Sequence, residues 1–180
     1  MWCLLTQIGE SEIVAPASFP LLSSRSEETK RPENNLTKLI SRSFEACELS
    51  TEEWHHREHV RLAYLYLLRC PQAEALDRMR AGLKALNAAQ NVSEGIDRGY
   101  HETLTVGWMR LMHCARCEFG PAENSEAFLD QHTQLLAKRA LLFFYSRDRI
   151  MSWEAKGQFV KPDLTPFPKI AKCFKPSTKA

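Results

Sequence analysis

Three histidines carry the strongest chemical suggestion in the chain. His56 and His59 stand three apart in Trp54-His55-His56-Arg57-Glu58-His59, and His101 lies in Tyr100-His101-Glu102-Thr103-Leu104-Thr105. On a helix turning about 100° per residue, His56 falls on the stripe of Val60, Ala63 and Leu67, with His59 one turn along at its edge; His101 shares a stripe with Thr105, Trp108 and Met112. All three are expected to face inward. Neutral imidazoles from two helices, with one coordination position left open, suit a catalytic rather than a structural divalent metal, here Zn, Fe, Mn or Ni. Glu58 and Glu102 are the nearby carboxylates, and Glu102 is the candidate catalytic base. Helix N-termini close to the rings disfavour their protonation and keep them able to ligate.

The same residues admit a plainer use, in which the histidines satisfy backbone or carboxylate partners at helix ends and the chain is a non-catalytic interaction or structural module. A third reading is an anion or small-molecule site at Arg139, placed on the apolar stripe of the fifth expected helix, because a partly buried guanidinium needs a negative partner. His132 lies roughly 10 Å deeper than the other histidines at 1.5 Å rise per residue and is the weaker ligand. Cys114-Ala115-Arg116-Cys117 is an isolated CxxC, without the second pair of a zinc site or the βαβ setting of a redox motif. His101-Glu102-Thr103-Leu104-Thr105 lacks the second His of a metalloprotease helix, and Glu53-x-x-His56 has no matching motif for a di-iron centre. Phosphate-cradling glycine loops are absent.

The elements that must position these groups read as helices. Leu36, Ile40, Phe44 and Cys47 recur at helical spacing from Asn34. Ser50 to Glu53 has the capping-box pattern and opens a second helix running to Cys70, where Pro71 starts a third with Leu76, Met79, Leu83 and Leu86 as its seam. After the turn at 91–95, Asp97 is the expected cap of a fourth helix from about Arg98 to Cys117. A fifth starts at Asn124 or Ser125 and buries Phe128, Leu135, Leu136, Leu142 and Phe143, with one short helix and a proline-punctuated stretch after Ser146. No alternating strand pattern appears. The fold class is therefore all-α, an up-and-down bundle of about five helices over residues 34–168, preceded by a disordered leader (1–33) and followed by a flexible tail (169–180). In such a bundle the second and fourth helices run parallel, which brings His56, His59 and His101 to one end.

A chain of 180 residues that is 44% hydrophobic has room for one core of ordinary size. With 24 Lys and Arg against 22 Asp and Glu, it has no basic field that would suggest nucleic acid. No apolar run spans a membrane or reads as a secretory signal, and the six scattered cysteines read as reduced thiols, so a cytoplasmic home is expected. Oligomeric state has no signature here.

Taken together, Trp54-x-His56-x-x-His59-Val60-Arg61-Leu62-Ala63, Tyr100-His101-Glu102-Thr103-Leu104-Thr105 and Pro162-Asp163-Leu164-Thr165-Pro166-Phe167-Pro168 resemble a small, uncharacterised, mostly bacterial all-helical family. The resemblance covers roughly Leu36 to Pro168. It implies that these motifs work as a set, and it implies no reaction. Three-histidine bundles of the DinB-like type are a looser analogy, with a different order of histidines along the chain.

Overall fold

The computed structural model describes residues 35–50 and 52–169. The leader at 1–33 and the tail beyond Lys169 lie outside them. Every element among the described residues is helical: α1 (Asn35–Glu45), α2 (His56–Arg69), α3 (Gln72–Ala89), α4 (Glu102–Phe119), α5 (Ser125–Gln131), the 3-10 turns Thr133–Leu136 and Ala140–Phe143, α6 (Arg147–Ile150) and α7 (Trp153–Gly157). A lone bridge between Gly95 and Arg98 closes the turn before α4. None of these helices is long and apolar enough to cross a membrane.

Residues 59–67 of α2 are buried without a break, so this helix is hidden on all sides rather than along one stripe. It is the central rod, packed on α1, α3, α4, α5 and the first 3-10 turn. Leu62, Leu67, Leu86, Met109 and Met112 are wholly enclosed. Each is worth about 1.5–3 kcal/mol of transfer free energy, well above any difference in helix propensity. Phe44 of α1 stacks on Trp54 at 5.1 Å between ring centres. Its ring lies so close to α3 that a Cβ on Gly82 would come within 2.1 Å of it, so only glycine fits there.

Two contacts fix the direction of the rods. The ring of His56, in the first turn of α2, meets Trp108 of α4, and the Tyr64 hydroxyl accepts from the backbone of Ala122, just past the end of α4. Residue numbers rise together along both helices, so α2 and α4 run the same way. The third rod, α3, follows α2 after only Cys70 and Pro71, and Pro71 at φ −55° cannot donate to a continuing ladder. Past α7 the chain returns over α4. Thr103 donates to the Gln158 carbonyl at 2.8 Å and accepts from Val160 at 3.1 Å, and Tyr145 donates to the Val160 carbonyl at 2.9 Å.

The expected fifth helix is broken. It ends at Gln131, His132 leaves helical geometry at φ −127° and ψ 55°, and the two 3-10 turns follow. The core takes Phe128, Leu135 and Leu141, while Phe143, expected inside, is 74% exposed. Thirteen residues separate Phe128 from Leu141, which at about 100° per residue puts them on opposite sides of any straight helix. Burying both requires the break. Arg139 consequently leaves the apolar stripe predicted for it and is exposed between the turns.

Candidate functional site

The Ser50–Glu53 pattern does form a reciprocal box: Glu53 accepts from the Ser50 backbone at 3.1 Å and from its hydroxyl at 2.8 Å, and Ser50 accepts from the Glu53 backbone at 3.3 Å. It closes a turn instead of starting a helix. The second helix begins at His56, where Glu58 reaches back to the His55 backbone at 3.3 Å. His56 and His59 thus occupy the first turn of α2.

Their rings go to different partners. His56 packs edge-on against Trp108 at 4.5 Å, whereas His59 lies 3.9 Å from Trp54. The Nδ1 of His59 donates to the His55 carbonyl one turn back at 2.8 Å. Burial lowers the pKa of His56 to about 4, opposed by a backbone hydrogen bond at Leu135, and burial lowers that of His59 to about 3. The void beside His59 is about 10 Å³ and lined mainly by Val60, Met79, Leu83, Trp108 and Met109. That is room for about one water and no substrate.

His101 is the N-cap of α4, which starts four residues later than the sequence suggests. Its Nδ1 accepts from the Leu104 backbone at 3.3 Å, so Nε2 carries the proton and donates to the Ile150 carbonyl at 3.0 Å. Both ring nitrogens are thereby committed, and burial lowers the pKa to about 4. The neighbouring Glu102 accepts from Arg80 Nε at 3.0 Å and from the Tyr100 hydroxyl at 2.6 Å. Burial alone would raise its pKa, but the guanidinium and hydroxyl together hold it below the usual range. A carboxylate so engaged at a helix N-terminus is an anchor.

The histidine triad is accordingly not assembled. His101 lies seven residues before Trp108, the level at which His56 meets α4, a separation on the order of 10 Å along the axis. Among the described residues no three His, Cys, Asp or Glu side chains are grouped so as to hold a metal ion. Replacing His101 tests its structural use. His101→Ala is expected to destabilise by about 2 kcal/mol, from a lost cap and an unpaired Ile150 carbonyl, and His101→Asn by about half as much, because asparagine restores the cap alone. Urea unfolding of the two variants measures the difference.

The buried guanidinium that the sequence suggested at Arg139 exists elsewhere. Arg61, 6% exposed at its side chain, donates from Nε to the Ser125 hydroxyl at 3.0 Å and pairs with Glu126 at 2.7 Å; Glu126 also meets Arg57, which reaches Asp130 at 2.8 Å. Lys156, also buried, donates to the carbonyls of Arg98 and Tyr100 at 2.7 and 2.6 Å and pairs with Glu94 at 2.7 Å. The nearly continuous apolar run from Val60 to Leu68 could have flagged Arg61, the one charged residue within it. Nothing in the sequence marks Lys156.

The space lies away from all these groups. A cleft of about 600 Å³ opens over the C-terminal half of α4, walled by Leu111, Ala115, Phe119, Leu135 and Pro168. Cys114 and Cys117 line it too. Cys114 is a free thiol whose Sγ donates to the Pro168 carbonyl at 3.7 Å, but Cys117 is disulfide-bonded, contrary to the expectation that all six cysteines are reduced. His113 Nε2 lies 3.9 Å from the Cys117 sulfur. Comparison with family models, curated proteins and solved structures finds no match for the chain.

Proposed function

We propose that the chain is a non-catalytic helical module that acts by presenting surface to a partner. The observation that supports this most is the commitment of His101, the best-placed ligand on α4, to two backbone groups, with Glu102 tied to Arg80 and Tyr100 beside it. A metal ligand needs a free lone pair, and a general base needs a carboxylate that faces a reacting atom. His56 and His59, each packed on a different indole, support the same reading.

Metal loading is the test. Full-length protein exposed separately to Zn, Fe(II), Mn and Ni and then gel-filtered is expected to retain substoichiometric metal, and added ions are expected to leave its melting temperature unchanged, because only selective binding to the folded state stabilises by linkage. One equivalent of retained metal that disappears in His56→Ala and His101→Asn overturns the proposal.

A further inference from the structure

We propose that the lobe formed by residues 143–165 is the partner-facing surface and that it docks on an anionic lipid bilayer, with Phe143, Trp153 and Leu164 as apolar tips that enter the interface. These three side chains are 74%, 66% and 59% exposed. A single exposed apolar side chain is ordinary on a folded surface. These three are tied to one another by a run of hydrogen bonds. Leu164 donates its backbone N–H to the Phe144 carbonyl at 3.1 Å, next to Phe143, and the Ser146 backbone donates to Asp163 at 2.8 Å. Arg149 donates from its backbone to the Ser146 hydroxyl at 3.3 Å and from its guanidinium to Glu154, beside Trp153, at 3.2 Å. The tips are therefore held in place, and Pro162 and Pro166, with fixed φ, stiffen the loop that carries Leu164. Phe143 is outside because the break after Gln131 gives Leu141 to the core and stacks Phe144 on Phe167 at 4.5 Å.

The charge around the tips suits a negative partner. Arg139, at the start of the 3-10 turn that ends at Phe143, is exposed, as are Arg147 and Lys161. The acids from Lys138 to Asp163 are Asp148, Glu154 and Asp163; of these, Glu154 is engaged by Arg149 and Asp163 by Ser146. None of the tips borders the cleft on α4. They stand out from the surface, which suits a fluid interface that needs no matching shape better than a folded protein that would have to supply a pocket for each. Aromatic rings settle at the level of lipid headgroups, and each nearby Lys or Arg adds attraction to anionic lipid. Contact of this kind needs no spanning helix. The inference rests on the reading of the chain as a surface-presenting module and names the class of partner.

The test is cosedimentation of the full chain with vesicles of phosphatidylcholine, alone or mixed with phosphatidylglycerol. Binding to the mixed vesicles is expected to exceed that to phosphatidylcholine several-fold, and to fall several-fold in high salt as screening sets in. The variant Phe143→Ser/Trp153→Ser/Leu164→Ser is expected to lose most of this binding and to keep the wild-type melting temperature, because the tips face solvent. Tryptophan emission gives a second readout that decides the matter should the triple variant melt early. Trp54 and Trp108 are buried and Trp153 is exposed, so in a Trp2→Phe background the mixed vesicles are expected to shift emission to the blue, and Trp153→Phe to abolish the shift. No binding to the mixed vesicles, binding that a normally folded triple variant keeps, or binding without the blue shift overturns the proposal. None of these outcomes touches the module reading, which is overturned instead by retained metal.

Discussion

Lowering the pH from 7 to 5 is expected to remove on the order of 5 kcal/mol of stability, comparable with the whole margin of many domains. The loss comes from the three histidines held neutral by burial, His56 and His101 near 4 and His59 near 3. In the unfolded chain each returns to about 6.5, so between that value and its folded one the unfolded state binds the extra proton. Stability therefore falls as pH drops through about 6.5 and flattens once the folded pKa is passed, each histidine contributing about 1.5–2 kcal/mol by pH 5. His113 and His132, shifted the same way, add to the slope. Glu94 and Glu102 are held below their ordinary range, so their stabilising contribution is intact at pH 5 and is lost only below about 4.5. Urea unfolding at pH 7, 6 and 5 checks this. A flat profile would mean that these rings are solvated, and His101→Asn is expected to reduce the slope by about a third.

The histidines were legible in the sequence as inward-facing groups, but their use was not. Helical spacing found the apolar faces and the order of the rods, because burial imposes a 3.6-residue period on any helix that packs. It could not separate a histidine that ligates from one that caps. Asp97 is the better cap by residue type, yet Gly95 and Arg98 pair across a turn there and Lys156 holds the carbonyls of Arg98 and Tyr100, so the helix waits until His101. The Lys156 contacts are tertiary, from more than fifty residues away. The same limit applies to Ser50–Glu53, whose local bonds form without a helix following, and to 125–143, where one period fitted a straight helix until Leu141 rather than Phe143 took the core. Cys117 was visible as half of a CxxC. The return of the chain over α4 was not, because it is set by the contacts of Thr103 and Tyr145 with Gln158 and Val160 rather than by any short motif.

Glu126→Gln is expected to destabilise the protein by about 3 kcal/mol, although Glu126 itself is partly exposed, because it leaves Arg61 charged and enclosed without its carboxylate. The Arg57–Asp130 arm of the same cluster is exposed to solvent, so Asp130→Ala is expected to change stability by less than about 1 kcal/mol. Adding Arg61→Met to Glu126→Gln should recover most of the loss, since methionine packs in the core without a charge to desolvate. Equilibrium urea unfolding of the two single variants, the double variant and Arg61→Met completes the cycle. Equal effects of Glu126→Gln and Asp130→Ala would show that the buried arm does not pin α5. The consequence reaches the cleft: α5 is held on α2 by this pair and by Phe128 stacked on Tyr64 at 4.2 Å, and it leads directly into the turn that brings Leu135 to the cleft wall. If the pair pins α5, the double variant keeps that wall in place while Glu126→Gln alone loosens it.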